Sequence, residues 1–227
     1  VNLKNEIELI IAKSKNLLQT NIDLGLYHFY RGNVSDANFR FWLISLFRKD
    51  SPIVHYNIGR CSFITGNTAK ALSCFYKVLS IDPKFQEAEY YIKKIQNPEL
   101  VEYVPVLMVK EYFDYLGDKF VEGWLINRQY HGHEYAQLLI SSYYGESCQD
   151  ISVLDLGCGT GICSQALKNK NIGKFFTGVD ISNEMLNISR GCLVKGSPVF
   201  NELINMEMND FLGGLASRKY DVILMME

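Results

Sequence analysis

The chain has 227 residues, 48% hydrophobic and 21% charged, with a formal net charge of −2. That composition suits a globular protein with a sizeable core, in one large or two modest domains. The near-neutral balance and the lack of any lysine/arginine block predict neither a nucleic-acid nor a membrane-surface partner, and no apolar run reaches the roughly 18 residues of a membrane span. The opening residues VNLKNEIELI are too charged for a secretory signal, so a cytoplasmic location is expected. Six cysteines occur without a Cys-x-x-Cys pair, which favours reduced thiols and no metal site.

The first half predicts helices over 3–19, 21–31, 35–48, 51–64, 68–81 and 84–95. Leu3, Ile7, Ile10, Ile11 and Leu18 form a one-sided stripe on the first. A shift of 34 residues lays Gly25 on Gly59, Gly32 on Gly66, Asn33 on Asn67, Ala37 on Ala71 and Phe41 on Phe75. Leu24/Ile58 and Ile44/Val78 match in kind. This period, with a small residue, then Ala-x-x-x-Phe and then Pro83, resembles the tetratricopeptide repeat (TPR), a helical hairpin. The positions usually filled by large aromatics hold Asn21 and His55. The last predicted helix carries Phe85, Ala88, Tyr91, Ile92 and Ile95 but has Lys93 where a repeat would have glycine, so it reads as a capping helix. Asn97-Pro98 ends the pattern and gives a domain of residues 1–98. The resemblance implies a surface for a protein or peptide partner; the repeats could equally serve only to brace the second domain.

After residue 150 the pattern changes to alternating strands and helices, which predicts a mostly parallel sheet with helices on both faces. ISVLDLG reads as a strand entering a turn, 162–169 as a helix, FFTGVD (175–180) as a second strand and 182–195 as a helix with Ser182 at its N-cap. NELINMEM (201–208) and KYDVILMM (219–226) are the third and fourth strands. The last is nearly continuous in apolar residues and reads as a central strand buried on both faces. In such sheets ligands bind at the carboxyl ends of the strands. There lie the glycine loop 157–161, Asp180, Asp210 and Glu227.

The loop spacing is Gly157-x-Gly159-x-Gly161. A dinucleotide fingerprint would need glycine at 162, which is Ile162. VLDLGCGTG, GVDISNEML (178–186), MNDF (208–211) and YDVILMME (220–227) instead resemble, in order, the motifs of class I S-adenosylmethionine (SAM)-dependent methyltransferases. The resemblance covers roughly 105–227 and gives the expected fold class: α plus α/β, with TPR-like hairpins followed by a partial Rossmann-like domain. A loop that carries the methionine and ribose of SAM needs backbone free of Cβ atoms. Asp180 stands 23 residues beyond Gly157, about where an acid meets a ribose in nucleotide folds.

The resemblance implies a cofactor site of Asp155, Gly157, Cys158, Gly159, Gly161, Asp180, Ile181, Asp210, Phe211 and Glu227. In it Asp155 orients the loop and the methionine ammonium, Asp180 takes the ribose hydroxyls, Ile181 packs on the adenine, and Asp210 accepts from its amino group near the Phe211 backbone. Cys158 reads as a small loop residue and not as a nucleophile. VKEYFDYLGDKFVEG (109–123) resembles the helical lid of these enzymes. Tyr112, Phe113 and Tyr115 shield the cofactor in that reading and sit in a core in the plainer one. His131 and His133 read as helix-entry polar residues. The family sheet has seven strands and the sequence ends on the fourth, so a fragment of a longer protein, with its acceptor half and general base missing, is expected. No catalytic residue is assigned. The expected activity is methyl transfer to a small-molecule or protein acceptor; the alternative is a TPR interaction module with an inactive SAM-binding-like domain.

Overall fold

The structure, a computed structural model, describes residues 3–121, 123, 130–214 and 219–226, and side chains over 16–117, 120, 130–214 and 219–226. The chain divides into two compact units, Val1–Val109 and Lys110–Glu227. The first is helical and the second is built on a parallel sheet, the fold class that the sequence predicts. Among the described residues no helix is long and apolar enough to cross a membrane.

The helical unit consists of α1 (Leu3–Tyr30), α2 (Val34–Ser45), α3 (Pro52–Ile64), α4 (Thr68–Ile81) and α5 (Gln86–Gln96). The two helices predicted over 3–19 and 21–31 are one. Neither glycine nor proline interrupts 17–23, and Asn21 bonds back to the Leu17 carbonyl at 2.9 Å within the continuous helix. The same Asn21 accepts from Arg40 of α2 at 3.0 Å, which explains a polar residue where an aromatic was expected.

The 34-residue repetition of the sequence is a repetition of structure. Gly32 and Gly66 turn the chain at φ +81° and +80°, a conformation glycine adopts without the Cβ penalty. Asn33 N–H donates to the His28 carbonyl and Asn67 N–H to that of Ser62, each at 2.9 Å. At the crossing of each hairpin a ring lies against a glycine. A Cβ on Gly25 would come within 2.7 Å of the Phe41 ring, and one on Gly59 within 2.6 Å of that of Phe75. Phe75 stacks on Tyr91 of α5, with centroids 5.0 Å apart, in a core shared with Tyr56, Val78, Ala88 and Ile92. Arg60 is buried with its guanidinium 4.2 Å from the centre of the Phe29 ring. It donates to the Tyr30 hydroxyl at 2.6 Å and to Asn57 Oδ1 at 3.0 Å, which ties the two hairpins together.

The second unit opens with α6 (Val106–Val121), whose residues from Lys110 onward belong to it, and α7 (Gly132–Tyr144). Then follow β1 (Ser152–Leu156), α8 (Ile162–Asn169), β2 (Phe175–Asp180), α9 (Asn183–Arg190), a small hairpin of β3 (Leu193–Val194) and β4 (Ser197–Pro198), β5 (Glu202–Asn205), α10 (Met208–Gly213) and β6 (Val222–Met225). The main sheet has the order β5-β2-β1-β6, all parallel. Helix α9 is shorter than the predicted 182–195. The chain leaves it at Gly191 and turns through Lys195-Gly196, both at positive φ, into the β3–β4 hairpin. The third strand ends at Asn205, because Glu207 caps a helix by accepting from the Asn209 and Asp210 amides.

Alternation along β1 divides the core. Val153 joins Ile140, Leu167, Phe176 and Leu186 on the face of α7, α8 and α9. Leu154 and Leu156 join Val179 and Phe211 on the face of α10. Strand β6 pairs with β1 from Val153↔Val222 to Leu156↔Met225. The prediction that β6 is buried on both faces does not hold: Leu224 is buried, but Ile223 and Met225 are 58% and 69% exposed. Among the described residues β6 has β1 as its only neighbouring strand.

Gly59→Ala tests the hairpin crossing. Alanine gains ~1 kcal/mol of helix propensity, but forcing a methyl into the Phe75 ring costs about 1–3 kcal/mol. A net loss of roughly 1 kcal/mol is expected in urea unfolding. A stabilised variant would show that the ring yields freely and that the crossing is loose.

Candidate functional site

Strand β1 is the switch point of the sheet: the chain runs outward from it through β2 to β5, then returns to its other side at β6. A crevice is expected at the carboxyl ends there, and the glycine loop 157–161 lies in it. All three loop glycines have positive φ, +70° at Gly157, +53° at Gly159 and +83° at Gly161. Gly161 is required by packing as well, because a Cβ there would meet Phe200 and Ser189 at 2.9 Å. At Gly157 and Gly159 a Cβ would meet nothing within 4 Å. The loop therefore presents bare backbone to open space.

The end of β2 holds this loop. The Val179 carbonyl accepts from the Gly157 and Cys158 amides at 2.8 and 3.0 Å. Asp180 Oδ2 accepts from the Gly159 amide at 2.8 Å, and Oδ1 from the Ser182 amide at 2.8 Å. Burial, with the nearby Asp114 charge, raises the Asp180 pKa, against the amides of Ser182, Gly159 and Ile181 that lower it. A carboxylate has about four lone-pair sites, so each oxygen keeps room for a further donor.

Asp155 lies on the α8 face of β1, 2% exposed, and accepts from Ser164 Oγ at 2.6 Å. Burial lifts its carboxyl to about 6. A small cavity of ≈ 60 Å³ is lined by Asp155, Gly157, Cys158, Gly159, Thr160 and Cys163, with Phe120, Tyr130, Ile162 and Met226. It is well below the 300–1,000 Å³ of a full ligand pocket. Thr160 is 2% exposed and its hydroxyl has no hydrogen-bond partner among the described residues. A buried hydroxyl left unpaired is costly, and one on the wall of a cavity has a use for a ligand.

Cys158 turns its thiol toward Gly178 and is buried. Burial holds that thiol well above its ordinary range, and that of Cys163 at about 12. Neither is a thiolate, which makes both poor nucleophiles. Ile181 follows β2, with its carbonyl accepting from Asn205 Nδ2 at 2.9 Å. Asp210 stands exposed in the first turn of α10 beyond β5. The Phe211 side chain points into the core with Leu154 and Val179. Glu227 lies outside the described residues.

Of the predicted lid aromatics, Tyr112 is exposed and Phe113 contacts the Phe120 ring, with centroids 6.1 Å apart. Phe120 is the α6 side chain that lines the cavity. His131 pairs with Glu134 at 3.0 Å, and His133 lies against the Tyr130 ring. Among the described residues no group of three or more His, Cys, Asp or Glu could hold a metal. Sequence reasoning missed Thr160, Ser164 and Tyr130. Ser164 was findable, since a buried strand carboxylate needs a donor and a serine stands in the first turn of the next helix. Thr160 was not, because only burial distinguishes it from a surface threonine.

A family model described as a methyltransferase domain matches residues 153–227. The match supports a methyltransferase domain in the last third of the chain. A search of curated proteins finds no match. Among solved structures, an O-GlcNAc transferase mutant of Thermobaculum terrenum is similar at 9% identity and a TM-score of 0.36. That similarity covers 88% of this chain and 44% of that one; a likeness so slight bears on neither fold nor function.

The raised Asp155 gives a pH prediction. Its pKa in the folded protein, about 6, exceeds the ordinary 3.8, so the folded state binds its proton more tightly than the unfolded chain does. That stability is complete below about pH 4 and is lost as pH rises through about 6. Asp155→Asn has no such loss. Urea unfolding at pH 4.5 and pH 7 should show the variant gaining on the wild type by on the order of 2 kcal/mol. A difference that does not change with pH would mean that Asp155 titrates normally.

Proposed function

We propose that residues 105–227 form the SAM-binding domain of a methyltransferase and that residues 1–98 form a TPR-like domain that recruits a substrate or partner. The observation that carries the reading is the bare backbone of Gly157 and Gly159, open above the loop and fixed by the end of β2. The methyltransferase-domain match over 153–227 supports it. The residues fit the cofactor chemically: buried carboxylates for cationic and hydroxyl groups, a threonine hydroxyl without a partner among the described residues, and glycines that leave the space above the loop open.

SAM supplies a methyl group on a sulfonium, open to in-line displacement by a nucleophile of the acceptor. Asp155, ionised at neutral pH, attracts the ammonium of the methionine part. The Thr160 hydroxyl donates to its carboxylate. Asp180 accepts from the ribose hydroxyls with the lone pairs that Gly159 and Ser182 leave, while Ile181 covers the adenine and Asp210 accepts from its amino group. Phe120 excludes water from the cavity beside the loop. The acceptor is a small molecule or a protein.

Calorimetric titration tests this directly. SAM and S-adenosylhomocysteine should bind with micromolar Kd, and NAD should give no heat. Asp180→Ala should weaken SAM binding by about 2–4 kcal/mol, because charge-assisted hydrogen bonds are lost. No heat with either adenosyl ligand, or unchanged affinity in folded Asp180→Ala, would overturn the reading.

A further inference from the structure

Helix α6 is fastened to the α9 N-terminus at two points. Asp114 Oδ1 accepts from Ser182 Oγ at 2.7 Å, while its Oδ2 pairs with Lys110. One turn on, Gly117 lies where a Cβ would stand 3.4 Å from Glu184 Cβ and 3.5 Å from Ile188 Cδ1. Ser182 is wholly buried and serves both sides of this junction. Its hydroxyl caps α9 by accepting from the Met185 amide at 3.2 Å, and the Asp114 bond fixes that hydroxyl in the capping rotamer. Its backbone amide holds Asp180 Oδ1, whose other oxygen holds Gly159. A continuous set of hydrogen bonds thus runs from Asp114 to the loop amide. Phe120 stands six residues beyond Asp114 on the same helix, about 9 Å along the axis, and lines the cavity at the loop.

We propose that Asp114 is a positioning residue that couples the placement of α6, and with it Phe120, to the conformation of the glycine loop. The coupling rests on the hydrogen-bond chain alone; its consequence for SAM rests on the function proposed above. Without the Asp114 bond the Ser182 hydroxyl is free to leave its capping rotamer, which loosens the first turn of α9 and with it the Ser182 amide that steadies Asp180. A carboxylate at position 114 also places negative charge at the positive end of α9. Asparagine there would keep the acceptor for Ser182 and lose the charge, so the geometry should survive in Asp114→Asn and fail in Asp114→Ala.

Amide hydrogen exchange in the cofactor-free protein reads the coupling without any ligand. In Asp114→Ala, exchange at the Gly159 and Met185 amides should quicken at least tenfold while the β1 and β2 strand amides keep their rates. Asp114→Asn should restore both to within about threefold of the wild type. SAM affinity should follow, about tenfold weaker in Asp114→Ala and near normal in Asp114→Asn. Faster exchange confined to α6, with Gly159 unchanged, would overturn the proposal and leave Asp114 a surface tether for one helix. If the Gly159 rates change as expected but wild-type protein binds no SAM, the coupling stands and the cofactor assignment fails.

Discussion

The end of β2 decides what the glycine loop can be. Three residues in left-handed conformation are a poor element by themselves, since glycine loses more backbone freedom on folding than any other residue. Here the Val179 carbonyl and the Asp180 carboxylate take the amides of Gly157, Cys158 and Gly159. The strand itself is fixed between β1 and β5. The ordering of the loop is therefore settled during folding, and a ligand meets a surface already formed. The same carboxylate steadies the start of α9, so one side chain joins the loop, the strand and the next helix.

The two halves of the chain were legible in the sequence for different reasons. The helical half was readable from the 34-residue offset, because each repeated residue has the same mechanical task in both hairpins: a turn at Gly32 and Gly66, a close crossing at Gly25 and Gly59 against Phe41 and Phe75. The break expected near residue 20 was an error of period and not of residue type, since the repeat suggested a hairpin where no turn residue exists. In the sheet half, strand identity followed from apolar runs, while boundaries moved wherever a cap competed with a strand, as at Glu207.

The site was legible where it depends on backbone. Glycines at a fixed spacing and an acid at the end of the second strand announce themselves. What stayed hidden were contacts across long sequence separations. Asp114 meets Ser182 at a separation of 68 residues, and nothing in VKEYFDYLG marks its aspartate above its aromatics. Of the lid aromatics that drew notice, Phe113 shares a helix face with Phe120 and contacts its ring, but it is Phe120, seven residues on, that lines the cavity.

One pairing far from the loop keeps its charge further into acid than the crevice does. Asp221, just before β6, accepts from both the amide and the hydroxyl of Ser152 at 2.7 Å, which locks the start of β6 beside the start of β1. A slip of one residue would turn Leu224 outward and draw Met226 away from the cavity. Those bonds hold the Asp221 carboxyl below its usual range, whereas burial holds Asp155 and Asp180 above theirs. The stability from Asp221 is present above the ordinary carboxylate pKa and fades only as pH falls through its own lower value. On acidification the crevice loses its negative charge first, and the alignment of the strands that frame it outlasts that discharge.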